Sequence, residues 1–232
     1  MNYIIFKNIN SQTIPGLLIN ELPPIVKPKM RIEETVVDGV DGSLIENLGW
    51  ESYDKALQIS LHGNYDIDQV IEYFNGAGKV TFSNEADKYY NAVVVEGIDF
   101  ERLLRYRTAT VVFRVQPYKY SLTEEAIDLT FTEVNPTFNV TNNGNTTSAP
   151  LIDIRGTGDI TFKLNGNRIF SYTFDSDEKV EIDSENQDAH LSDILKNRNM
   201  SGDFPYLKKG TSTVLIEGSV SEVKLLKGSR WI

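Results

Sequence analysis

The chain has 232 residues, 40% of them hydrophobic and 10% aromatic, which is enough to bury one large core or two modest ones. Its formal charge of −10 is evenly spread, with 12 basic and 16 acidic residues up to Leu122 and 11 and 17 after it (23 and 33 in all); lacking a basic half, it argues against duplex binding as the main activity. Without cysteine there is no disulfide scaffold, thiolate zinc site, cysteine nucleophile or iron–sulfur cluster, and no apolar run of about 18 residues or N-terminal secretion pattern predicts a membrane span or export.

From Met1 to about Ser60 the chain shows short β-type runs: Tyr3–Phe6, Leu17–Ile19, Thr35–Val37 and Ala56–Leu61. Pro23-Pro24, Pro28 and the turn-rich Asp38-Gly39-Val40-Asp41-Gly42-Ser43 separate them, the last predicting a long exposed loop. A helix follows, because Ile67, Val70, Ile71 and Phe74 fall at i, i+3, i+4 and i+7 and share one face. Asp66 is placed to cap it, with Gln69 three residues on, and Gly76 suits a left-handed residue beyond its end.

Three more strands are expected at Lys79–Phe82, Ala92–Glu96 and Thr108–Val115. The last two flank IDFERLLRYR, which reads as a hairpin tip or as long strands running past the core. Arg102, Arg105 and Arg107 with Tyr106 could hold phosphate or bases, but such a cluster is more often a solvated face or a subunit contact. Phe100, Leu103, Leu104 and Tyr106 would supply apolar anchors for that contact among the arginines. In VVFRVQPYKYSL, Pro117 lacks the N–H of a central ladder, so the strand should end there or run along an edge, with Tyr118 and Tyr120 sealing the first core.

Beyond Leu122 the pattern turns regular, with strands expected at Ala126–Phe131, Thr137–Val140, Leu151–Arg155, Asp159–Leu164, Arg168–Phe174, Lys179–Ile182, Thr213–Glu217 and Val220–Leu225. This predicts an antiparallel sandwich. Asn165-Gly166 is the strongest hairpin signal, because a type I′ turn needs positive φ at both central residues. Residues 183–209 lose the alternation and read as a long loop with one helical turn near Leu191–Leu195. The fold class is therefore mainly β, with an N-terminal β-rich domain over 1–122 carrying one short helix and a C-terminal sandwich over 123–232.

The sequence carries no recognisable catalytic or cofactor motif. His62 and His190 have no metal-ligand spacing, and no nucleophile elbow, P-loop or dinucleotide fingerprint occurs. Asp175-Ser176-Asp177 opens like a calcium loop but carries Lys179 at the fifth position and Val180 where glycine is needed. The sequence therefore points to no enzyme, no metal and no cofactor. The sequons at Asn139, Asn145 and Asn199 read as chance without a secretion signal.

Several landmarks resemble the distal tail protein (Dit) family of long-tailed phages that infect Gram-positive bacteria. They are Val37-Asp38-Gly39-Val40-Asp41-Gly42, the central helix, and the strand ending in Phe113, Pro117, Tyr118 and Tyr120. Asn142 or Asn143 with Gly144 and Pro150 follows, and then Gly202, Asp203, Phe204, Pro205, Leu207, Gly210 and Gly218. The resemblance spans nearly the whole chain. It implies a ring-forming first domain and a galectin-like or carbohydrate-module-like sandwich, in a homohexamer at the distal tail tip of the virion, made in the host cytoplasm.

As implied partners the family has the tail tube protein, the tail-associated lysin or baseplate hub protein, the tape-measure protein and a receptor-binding protein, with DNA passing the lumen unbound. A closed ring needs two different patches per subunit; the stretch from Phe100 to Arg107 is the candidate for one, and the sequence does not locate the other. The competing expectation is a module for cell-wall glycan, stacking sugar on Tyr172, Tyr206 or Trp231. The same component of a phage-like bacteriocin or prophage is a further alternative.

Overall fold

The computed structural model describes residues 1–39, 41–95, 97–129 and 137–232, the side chains of Phe100 and Arg102 excepted. The chain divides into two compact units, Met1–Leu122 with Ile232, and Thr123–Trp231. Both are mainly β and antiparallel.

In the first unit the strands are β1 (Ile4–Phe6), β2 (Ile9–Asn10), β3 (Leu17–Glu21), β4 (Met30–Val36), β5 (Ser43–Trp50), β6 (Tyr53–Leu61), β7 (Ala77–Phe82), β8 (Lys88–Val94) and β9 (Thr108–Ser121). Seven of them order as β2-β1-β7-β8-β9-β6-β3, while β4 and β5 pair only with each other. Helix α1 (Ile67–Tyr73) forms because the Asp66 carboxylate accepts from the N–H groups of Asp68 and Gln69, closing the N-terminal turn. Val70, Tyr73 and Phe74 are buried and Ile67 is partly so, whereas Ile71, expected on that face, is exposed: the inward stripe lies one residue round from the expected one. Around Phe113 the core closes by edge-on aromatic packing, with Phe6, Phe82 and Phe74 centroids at 5.2, 6.0 and 6.2 Å.

Two expectations change here. The segment IDFERLLRYR is neither a hairpin tip nor extended strand: Phe100–Tyr106 is a second helix, α2, closed by Arg107 in the left-handed region at φ 61. Phe100, Leu103 and Leu104 follow the helical i, i+3, i+4 spacing, and Leu103 is fully buried in the core against which α2 rests on β6 and β9. Strand β9 also does not stop at Pro117. Its ladder with β8 shifts register between Tyr90 and Ala92, opposite Lys119 and Val115, so the proline sits in a bulge where its missing N–H breaks no pair. On the other flank, pairing with β6 ends at Val115, and Tyr118 and Tyr120 are half-buried rather than core.

The second unit comprises β10 (Ile127–Leu129), β11 (Thr137–Asn142), β12 (Leu151–Leu164), β13 (Asn167–Asp183), β14 (Asp188–Leu191), β15 (Ile194–Leu195), β16 (Met200–Gly202) and β17 (Gly210–Leu226). They run β10-β17-β12-β13-β14-β15, with β11 also on β17 and β16 on β13. Six of the expected short strands are three long ones. Gly156–Gly158 and Gly218 make bulges instead of turns, and the strands bend there without ending. Inward side chains along β12, β13 and β17 all enter one core, including Ile154, Phe162, Tyr172, Val180, Ile216 and Val223.

Asn165 and Gly166 do form the β12–β13 turn, at φ 51 and 80. The expected helical turn near Leu191–Leu195 is instead the β14–β15 hairpin, turning at Ser192 with φ 53. The far end of the strand expected at Ala126–Phe131 lies outside the described residues.

Candidate assembly surface

Strands β4 and β5 form an arm without a core. Their partners run from Met30↔Trp50 to Val36↔Ser43, so Asp38, Gly39, Asp41 and Gly42 of the segment read as a loop lie at the tip of a hairpin, and Val40 lies outside the described residues. Cross-strand partners share a face. One face holds Ile32 with Asn47, Glu34 with Ile45 and Val36 with Ser43; the other sets Glu33 against Glu46 and Thr35 against Leu44. Ile32, Val36, Leu44, Ile45 and Leu48 are all exposed, Val36 to 73% and Leu44 to 66%. A two-stranded ribbon is marginal alone in water, and this one shows apolar side chains on both faces. From residue 32 to 48 every charged residue is acidic: Glu33, Glu34, Asp38, Asp41 and Glu46.

The base of the arm is tightly tied. Arg31 Nη2 donates to Leu48 O at 2.9 Å, Gly49 N to Asn47 Oδ1 at 2.8 Å, and Glu51 N to Lys29 O at 2.8 Å. Gly49, at φ 103 opposite Arg31, absorbs a register shift between Arg31 and Ile32. Just before the arm, Lys55 Nζ donates to Pro24 O at 2.9 Å, and Asn84 Nδ2 to Pro23 O at 3.0 Å. Lys55 points inward on β6 with the parity of Leu57 and Ile59, and lies 4.9 Å from the Tyr90 ring, 5.4 Å from Phe82 and 5.8 Å from Tyr53. Desolvation lowers its pKa to about 8, partly opposed by the Glu85 carboxylate. Glu85 in turn accepts from Tyr90 Oη and pairs with Lys119.

Of the residues expected at a subunit contact, Leu103 belongs to the core and is withdrawn from that role, its side chain having no exposed surface. Leu104 (42%) and Tyr106 (60%) are exposed on α2, and Arg105 lies 5.5 Å from the Tyr106 ring. Arg107 turns back over the Tyr65 ring at 4.6 Å. The side chains of Phe100 and Arg102 lie outside the described residues. The arm itself was missed in the sequence, where only β4 was expected.

The residues considered for sugar stacking scatter. Tyr172 is fully buried and packs edge-on to Phe174 at 4.8 Å, so neither ring face is open to a ligand, and that expectation is corrected. Burial raises its pKa to about 12, and its hydroxyl meets no partner among the described residues. Tyr206 is exposed, accepts from Gln187 Nε2 at 3.1 Å, and lines an open cleft of about 750 Å³ with Asn165, Asn167, Asp203, Phe204 and Lys208. Trp231 is half-buried and does not line that cleft. Among the described residues no group of three or more His, Asp or Glu is placed to hold a metal ion, and no helix is long and apolar enough to cross a membrane.

No family model matches the chain, and no curated protein does. Solved structures do. The Dit protein (gp 19.1) of SPP1, described as a paradigm of the hub adsorption apparatus in phages infecting Gram-positive bacteria, superposes with a TM-score of 0.73 at 14% identity, covering 97% of this chain and 98% of that one. Chains of the phage p2 baseplate in its activated conformation follow, with strontium (TM-score 0.52, 8% identity) and with calcium (0.54, 9%), each covering 97% of this chain and 96% of the other. At such identities the likeness is one of fold, and it runs the whole length of the chain.

Proposed function

We propose that this chain is the hub subunit of a long-tailed phage tail tip. Copies of it close into a ring that joins the tail tube to the tail-associated and baseplate proteins and leaves a lumen for the tape-measure protein and DNA. The observation that carries this reading is the end-to-end likeness of fold to the SPP1 hub protein, at a TM-score of 0.73. The arm supports it, because a ribbon with apolar side chains on both faces is stable only against another surface. Six copies is the number the family resemblance implies. Six chains at −10 then carry about −60, a field that repels passing DNA rather than holding it. In this role the chain is structural, works in the virion and assembles with other tail proteins.

Negative-stain microscopy with light scattering tests the reading. Six-fold rings with a central hole, alone or with a tail tube or tail-tip protein, are the expected result. A chain that stays monomeric at every concentration and in every such mixture would sink it.

The cleft beside Tyr206 favours a second role for the other unit, the capture of a cell-wall saccharide by an exposed ring flanked by amide and carboxylate groups. A glycan array that shows binding lost in Tyr206→Ala supports it, and an array blank for the unsubstituted protein removes it.

A further inference from the structure

The arm and α2 differ in a way that assigns them to each other. On one face of the arm Glu33 and Glu46 are direct cross-strand partners, both exposed, and neither has an ion pair among the described residues. Like charges directly opposite destabilise a strand pair, and here they burden a ribbon that is marginal already. Beside them stands Leu44, one of the most exposed large apolar side chains on the arm. What this face lacks is a cation bearing its own apolar flank.

Helix α2 presents that combination. Arg105 is exposed and makes no ion pair among the described residues; Leu104 and Tyr106 are exposed on either side of it. A guanidinium is planar and forked, so one arginine can serve two carboxylates at once, which an ammonium does less well. The arm offers two carboxylates and the helix a guanidinium, with Glu101 one turn before it, so the two surfaces are unlike, as a head-to-tail contact that closes a ring requires.

Resting on the ring reading above, we propose that the Glu33–Glu46 face of the arm docks on α2 of the next copy, with Arg105 between the two carboxylates and Leu44 against Leu104. The opposite face of the arm, with Ile32, Val36 and Ile45, takes no part in this contact. This supplies the ring with its two unlike patches, one on the arm and one on the helix.

The absence of cysteine makes the test direct. A Leu44→Cys chain is mixed with a Leu104→Cys chain under mild oxidation, beside each variant alone and unsubstituted protein in light scattering. The expected result is a disulfide-linked pair in the mixture and none in either chain alone. Arg105→Glu raises the concentration at half-assembly about tenfold or more, Glu33→Lys with Glu46→Lys does likewise, and the three changes together in one chain recover assembly.

If the unsubstituted protein assembles while the mixture does not cross-link and the charge variants assemble normally, this pairing is wrong and the ring reading stands. Cross-linking of Leu44→Cys to itself would show arm against arm and would also overturn the pairing. If the unsubstituted protein never assembles, both readings fall together.

Discussion

The Lys55 ammonium donates to the Pro24 carbonyl from inside a cage of Tyr53, Phe82 and Tyr90, and so clamps the chain segment that leads into the arm. Burial holds the folded pKa near 8, below the ordinary 10.5, so between those values the unfolded chain binds a proton that the folded chain has lost. Stability must therefore rise with pH across that window, while below about pH 8 the burial penalty is constant. Above about pH 10 the slope reverses, because burial raises the pKa of Tyr73 and Tyr90 and the folded state then keeps protons the unfolded chain releases. Urea titrations at pH 7 to 11, compared with Lys55→Met, should show the rise only in the lysine form. A flat difference between the two proteins from pH 8 to 10 would refute the assignment.

Neighbouring leucines on α2 should behave oppositely. Leu103→Ala empties a fully buried site and is expected to lower stability by about 2–5 kcal/mol. Leu104→Ala, at an exposed site, should alter stability by less than about 0.5 kcal/mol and weaken self-association instead. Denaturation midpoints and sedimentation on the same samples separate the two effects.

Removing the Tyr172 hydroxyl should help the fold. That group is buried without a partner among the described residues, so Tyr172→Phe keeps the packing against Phe174 and relieves an unmet polar group. A gain of up to about 1 kcal/mol is expected, and any saccharide binding should be unchanged. Loss of stability in a thermal or urea melt would show that the hydroxyl has a partner after all.

Two glycines should differ sharply on substitution. A Cβ at Gly166 meets nothing within 4 Å, leaving only the strain of φ 80, about 1–2 kcal/mol. At Gly202 it would come 2.3 Å from the Ile169 carbonyl oxygen, at φ 115, so β16 could not stay on β13. Gly202→Ala should therefore cost at least about 3 kcal/mol, read by the same melts.

Hydrogen exchange offers a view of the arm. Its ladder has water on both faces, so β4 and β5 amides should exchange far faster than those of β6 or β9 in the unassembled chain. Protection should appear there on assembly. Equal protection in both states would mean that the arm is held within its own chain.

Legibility in the sequence followed burial. Asn165-Gly166 could be recognised because turn chemistry is local, and α1 because its cap is local and its apolar spacing helical, although the inward stripe sits one residue round from the one expected. The β5 run SLIENLGW escaped notice for a physical reason: alternation marks a strand only when one face enters a core, and this ribbon has none of its own. α2 was misread although Phe100, Leu103 and Leu104 carry helical spacing, because arginines on a seven-residue helix mask it. Lys55 could have been suspected, since it holds an inward position in YDKALQISL. Its partner, Pro24, is 31 residues away, and no local pattern could supply it.

The opposed carboxylates of Glu33 and Glu46 also bear on how two free arms can meet. Exposed ribbons tend to gather with their own kind, and two such arms meeting by these faces would stack four carboxylates in one contact. Such repulsion would oppose clumping of free copies through the apolar flanks. By that argument the pair of charges would act as a gatekeeper of solubility, discouraging an arm-to-arm encounter.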